Sequence, residues 1–232
     1  MGTLVLVLLG NGTVAGVLLK RSKSEGAGWS VITAGFAFAV MMGVFVAIAC
    51  GSSGAHINPA VTLAIAINTG DFSNLVPFAI AQTLGAMAGQ TLVWLAYLLH
   101  WKETPDAGLK LACFSTGPAI RNTGANILTE AIGTFILVLA ILSLFSKAVS
   151  AGVAPGLGPF LVGAVVWGVG LALGGPTGFA INPARDLGPR IMHAILPIPG
   201  KGSSDWGYAM VPVIGGLLGG LAAGLFIHTV GI

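Results

Sequence analysis

Four stretches of this chain, 26–70, 72–101, 148–184 and 206–232, contain no Asp, Glu, Lys or Arg. Each exceeds the roughly 20 apolar residues that carry a helix across the hydrocarbon core of a bilayer. A soluble fold of this size would be left with large apolar patches facing water. Charged residues make up 7% of the 232 residues and hydrophobic ones 55%, whereas soluble domains carry roughly 25% charged residues. The bilayer is the natural solvent, and the expected class is an all-α, multi-pass protein of the cell membrane.

Apolar periods and polar breaks place spanning helices near 1–20, 31–51, 76–100, 124–146, 157–175 and 206–229. Loops are expected at 20–30, 101–123, 147–156 and 190–205. Residues 4–9 are apolar like the core of a signal peptide, but no basic region precedes them and the run continues toward residue 19, so they read as a span. Gly12/Gly16, Gly85/Gly89, Gly215/Gly219 and Gly220/Gly224 have the four-residue spacing that puts both glycines on one helix face, where small residues let helices approach closely. Cys50 and Cys113 form no CxxC pair and no metal-ligand pattern, so they read as free thiols. The Lys20, Arg21, Lys23 cluster reads as a loop flank, not a nucleic-acid patch. No cofactor is implied.

Two apolar segments, 57–70 and 181–195, are too short to span. A helix of about 12 residues reaches about 18 Å, roughly half the hydrocarbon thickness. Each opens on Asn-Pro-Ala: Asn58-Pro59-Ala60 and Asn182-Pro183-Ala184. Asn caps a helix N-terminus well, and Pro suits the first helical position. The segments therefore predict half-helices that start near the bilayer midplane. Non-helical backbone at that depth survives only where it is buried or lines a polar cavity. Residues 53–60 also lie over residues 177–184 at an offset of 124, and Gly2-Thr3 resembles Gly133-Thr134. The expected organisation is a single channel domain, 1–232, built from repeat 1 at about 1–100, a loop at 101–123 and repeat 2 at about 124–232. Three spans per repeat force the two copies into opposite orientations, the inverted-repeat logic of many transport proteins.

Facing half-helices would bring two positive dipole ends together, and the Asn58 and Asn182 amides would offer donors to a passing oxygen. Arg185 follows the second triplet. An arginine in an apolar stretch is expensive and usually faces a bundle interior or a water-filled cavity. Glu130, near the start of the fourth span, needs buried partners, and the backbone of an adjacent loop is the obvious source. His56 is expected to line the pore or brace its loop. His100, His193 and His228 read as interfacial.

Ser-Gly-Ala-His-Ile-Asn-Pro-Ala-Val-Thr at 53–62 and Thr-Gly-Phe-Ala-Ile-Asn-Pro-Ala-Arg-Asp at 177–186 are specific signatures. On them the chain resembles the major intrinsic protein family, and within it the glycerol facilitators. The resemblance implies an aquaporin-like bundle of six spanning helices and two half-helices, assembled as a homotetramer in the lipid bilayer. It implies a selectivity filter at Phe38, Gly170, Phe179 and Arg185, with Gly170 in place of the histidine typical of water-selective members. A CHOH backbone would slide with its carbons on Phe38 and Phe179 while its hydroxyls bond Arg185. Asp186, Arg190 and Pro212-Val213 look like the glycerol-facilitator set. His56, Pro59, Ala60, Glu130, Pro183, Ala184 and Asp186 would line or support the pore. Phe38 departs from the tryptophan frequent in glycerol facilitators. The first-half counterpart of Glu130 falls before Met1, so either the native N-terminus is longer or the first half lacks this brace. The family places both termini in the cytoplasm, whereas the Lys and Arg distribution counts the other way.

The expected activity is passive conduction of glycerol and similar small uncharged polyols, with some water, excluding ions and protons. Lactic acid, dihydroxyacetone, urea and hydrogen peroxide stay open as solutes. A water-selective channel is the alternative, disfavoured by Gly170 with Asp186. A proton- or sodium-coupled transporter would need titratable groups along the route, and only Glu130, Asp186 and His56 are available. Nothing resembles a nucleophile–base constellation, metal cluster or phosphate loop, so no enzyme is expected.

Overall fold

A computed structural model describes residues 1–51, 54–154 and 156–231; Ser53, the first residue of the first signature, lies outside them. The order is α1 (Gly2–Leu18), α2 (Trp29–Ala49), α3 (Pro59–Thr69), α4 (Leu75–Ala96), α5 (Leu98–Glu103), α6 (Ala107–Ala112), α7 (Thr123–Leu144), α8 (Lys147–Ser150), α9 (Gly158–Leu173), α10 (Pro183–Ile195) and α11 (Trp206–Val230). No strand occurs among the described residues.

Four helices, α2, α4, α7 and α11, are long and apolar enough to cross a membrane. The apolar α1 and α9 have 17 and 16 residues, about 25 Å each at 1.5 Å per residue. The 11-residue α3 and 13-residue α10 reach about half as far as α11. The segment expected as one loop at 101–123 contains the end of α5 and all of α6.

Contacts between elements mirror each other. α1 packs on α2 and α4, α7 packs on α9 and α11, and α2 packs on α9. Each half-helix crosses over: α3 lies on α11, and α10 on α4. Glycines make these crossings possible. A Cβ at Gly220 would meet the Ala60 carbonyl oxygen at 2.5 Å, and one at Gly224 would meet the Ala64 backbone at 2.9 Å. On the same helix, Gly215 and Gly219 face Glu130 and Ala131 of α7. The two glycine pairs on α11 therefore serve two neighbours, which is why they sit in two registers of one sequence run.

The surface loop after α1 is tied by charge. Lys20 Nζ donates to Glu25 Oε1 at 2.8 Å and the Arg21 amide to Glu25 Oε2 at 2.7 Å. The Lys20 bond, then the Arg21 amide, hold the Glu25 carboxyl below its ordinary range.

Candidate functional site

Both half-helices begin the same way. Asn58 (φ −154°) and Asn182 (φ −157°) are extended N-caps, with Pro at the first helical position. Asn58 Oδ1 accepts the Ala60 amide at 2.9 Å. Asn182 Oδ1 accepts the amides of Ala184 and Arg185 at 3.1 and 3.2 Å. Those bonds fix which end of each amide is oxygen. The nitrogens reach across: Asn58 Nδ2 donates to Ile181 O at 2.8 Å, and Asn182 Nδ2 to Ile57 O at 2.9 Å. A carboxamide nitrogen carries two hydrogens, so each side chain keeps one donor for something else.

The chain reaches each cap through a backbone that few residues adopt. φ is positive at Gly54 (77°), Ala55 (44°) and Ile57 (43°), and again at Gly178 (84°), Phe179 (41°) and Ile181 (41°). For β-branched isoleucine this is an outlier that costs about 1–3 kcal/mol. The second approach is braced by Glu130, whose carboxylate oxygens accept the amides of Ala180 at 3.1 Å and Ile181 at 2.7 Å. Replacing Glu130 with Gln turns one acceptor into a donor facing an amide. We expect a loss of about 1–3 kcal/mol, read as a lower melting midpoint in detergent; an unchanged midpoint would mean the loop does not lean on this carboxylate.

Between the two approaches and the helices lies a cavity of about 370 Å³. Its lining is largely apolar, including Val40 and Val44 of α2, Leu137 of α7, and Val162 and Val166 of α9. Asn58, Asn182, Arg185 and His56 are the polar residues of the lining. His56 Nδ1 lies 3.2 Å from Thr62 Oγ1, a contact that also braces its loop. The guanidinium carbon of Arg185 stands 4.4 Å from the centre of the Phe36 ring. Its Nη1 is buried without an acceptor among the described residues.

Phe36 occupies the place expected for Phe38. The Phe36 side chain is 3% exposed and lines the cavity, whereas Phe38 is 55% exposed on the outer face of α2. Two residues turn a helix by about 200°, so both cannot face inward, and Phe36 shares the inner stripe with Val40 and Val44. Phe179 meets Phe36 edge-on, with ring centres 5.4 Å apart. Gly170 lies behind them: a Cβ there would stand 3.0 Å from Phe179 Cε2 and 3.1 Å from Thr33 Cγ2.

Other expected site residues surround the cavity without lining it. Pro59, Ala60, Pro183 and Ala184 are buried. The Pro183 ring packs at Gly216, and the Ala60 backbone packs at Gly220. Asp186 is fully buried and bound elsewhere. Its Oδ2 accepts both the amide and the hydroxyl of Thr116 at 2.7 Å, and its Oδ1 accepts Arg190 Nε at 3.0 Å and Nη2 at 2.9 Å. Arg190 also donates from Nη2 to Thr116 O (2.8 Å) and from Nη1 to Ser204 O (2.9 Å) and Asp205 O (3.1 Å). His193, expected at an interface, is buried, with Nδ1 2.8 Å from Ser204 Oγ. Its place is beside the loop clamp, where the Ser204 hydroxyl partners Nδ1 and the Phe114 ring packs edge-on, while Nε2 has no partner among the described residues.

The major intrinsic protein family model matches residues 1–226. The chain belongs to the major intrinsic protein family. Among relatives of this family, a probable glycerol uptake facilitator protein of Thermotoga maritima is 53% identical over 222 residues, spanning 95% of this chain and 92% of that protein. A glycerol uptake facilitator protein of Streptococcus pneumoniae is 52% identical over 225 residues, 96% of this chain and 93% of that one. The X-ray structure of the aquaglyceroporin from Plasmodium falciparum superposes with a TM-score of 0.85 at 27% identity, covering 99% of this chain and 93% of that one. The fold is that of the aquaporins, and the protein is an integral membrane channel protein.

Proposed function

We propose that the chain is a passive channel for glycerol and similar small uncharged polyols, with some water passing, and that Phe36, Gly170, Phe179 and Arg185 form its filter. One observation carries the reading: a single cavity is lined mostly by apolar side chains together with a few polar ones, Asn58, Asn182, His56 and Arg185, and the Arg185 guanidinium is stacked on Phe36. A polyol presents carbons on one edge and hydroxyls on the other. Its carbons lie against Phe36, Phe179 and the valines, and its hydroxyl oxygens accept from Arg185, whose planar fork offers five donors. The names of the Thermotoga and Streptococcus relatives support the same solute class.

Ion and proton exclusion follows from the midplane. Two half-helix N-termini each present about half a positive charge, and the Arg185 cation lies nearby. The two spare Asn donors hold one passing oxygen as a double acceptor, so its own hydrogens point away along the pathway and the chain of proton acceptors is broken. Nothing in the cycle needs a covalent step, which agrees with a channel and not an enzyme. The mirrored contacts of the two halves support an inverted repeat around one cavity. The cavity is lined by one chain alone, which supports one pore per subunit in the proposed homotetramer.

Light scattering on vesicles holding the purified protein tests the reading. Glycerol should re-swell them far faster than empty vesicles, with or without a protonophore. Glycerol entry at the empty-vesicle rate would overturn the proposal, and dependence on a proton gradient would reassign the protein as a coupled transporter.

A further inference from the structure

Trp29 opens α2 and lies just outside the filter. Its indole Nε1 donates to the Gly170 carbonyl at 3.2 Å. Its ring meets Phe179 edge-on, with centres 5.6 Å apart and planes 79° apart. Phe179 thus packs against two rings, Trp29 and Phe36, each nearly perpendicular to its own. The arrangement needs a bare backbone at Gly174. A Cβ there would collide with Gly170 O and stand 2.6 Å from Trp29 Cζ2 and 2.9 Å from Phe179 Cδ1. Gly170 and Gly174, one turn apart at the end of α9, therefore make the flat strip on which the rings rest.

We propose that Trp29 is a specificity-determining positioning residue of the channel. It fixes the Phe179 ring, and so the width of the aperture beside Arg185. It also ties up the Gly170 carbonyl, an acceptor that would otherwise be available to a hydroxyl at the mouth. The inference rests on the polyol-channel reading. It adds that the size limit on polyols is set partly by a residue that does not line the cavity. Two features separate this role from that of a tryptophan anchored at the membrane interface: the N–H is spent on a backbone carbonyl of α9, and the ring is spent on Phe179. Aromatic pairs of this geometry hold a ring in place beyond simple burial.

The test is vesicle swelling with glycerol, erythritol and xylitol, for wild type, Trp29→Ala, Trp29→Leu and Trp29→Phe, scaled to the amount of folded protein in each vesicle preparation. Losing the ring should raise the erythritol-to-glycerol flux ratio about fivefold in Trp29→Ala, and less in Trp29→Leu. Trp29→Phe keeps an edge for Phe179 and loses the N–H, so its ratio should stay within about twofold of wild type. Trp29→Leu keeps most of the buried bulk and serves if the alanine variant inserts poorly. An unchanged ratio in both Trp29→Ala and Trp29→Leu would overturn the proposal and leave Trp29 as an interfacial anchor. Failure of wild type to pass glycerol would instead strike the functional reading, a separate outcome of the same experiment.

Discussion

Asp186→Ala is expected to destabilise the protein by about 3–5 kcal/mol, because it leaves the Arg190 cation buried with its ion-pair partner gone. Both side chains are fully buried. The guanidinium has five N–H donors, and Asp186, Thr116, Ser204 and Asp205 account for all five. The pair therefore joins α10 to the segment after α6 and to the segment before α11. Arg190→Lys should also fail, for a different reason: three donors on one nitrogen cannot reach carbonyls spread around a planar fork. Asp186→Asn keeps the shape and loses the charge, so it should fall between wild type and Asp186→Ala. The measurement is the melting midpoint of each variant in detergent. A midpoint for Asp186→Ala equal to that of wild type would show that the loops are held by something else. Arg185 directly precedes Asp186 on α10, so glycerol flux should fall together with the melting midpoint and not independently of it.

The features of this molecule that rest on local chemistry are legible in its sequence. Uncharged runs set the solvent. An Asn followed by Pro, opening an apolar segment too short to span, sets the half-helices, because cap and first-turn preferences act within three or four residues. Glu130 is legible as a buried acid in need of backbone partners, since burial makes that need unavoidable. Phe36 is less so. Placing the aromatic at a fixed distance from Asn58 assumes a constant length of chain between α2 and the cap, but the described residues there, 50, 51 and 54–57, are non-helical, and such a connection takes up extra residues without disturbing either helix. The helical phase of α2 decides the matter, and its signal in the sequence is the four-residue recurrence of Phe36, Val40 and Val44 on one face. The burial of His193 is hidden for a related reason. Its partner Ser204 lies eleven residues on, in a segment whose path past α10 depends on the Arg190 clamp. The role of Thr116 is equally hidden, because it comes from the stretch between α6 and α7, where no periodic pattern marks a position.

Gly170→His is expected to lower glycerol flux at least tenfold while water flux changes by less than about threefold. Even the first atom of the new side chain would stand 3.0 Å from Phe179 Cε2 and 3.1 Å from Thr33 Cγ2, closer than ordinary carbon contact. The imidazole must then push Phe179 aside or project past it toward Arg185. Displacing Phe179 removes part of the apolar wall that carries the carbons of a polyol. Projecting past it narrows the aperture and adds a polar group where carbons should slide. Both outcomes cost glycerol more than water, because water needs neither the wall nor the width. The Gly170 carbonyl bond to Trp29 gives a control, since it uses backbone and survives a change of side chain. A phenylalanine at position 170 would fill the same volume without the polar nitrogens. If Gly170→Phe blocks glycerol as strongly as Gly170→His, width governs selection; if it blocks less, polarity of the wall governs it. Equal loss of water and glycerol in Gly170→His would remove position 170 from the filter altogether, and with it the assignment of Phe179 as the wall against which solute carbons pass.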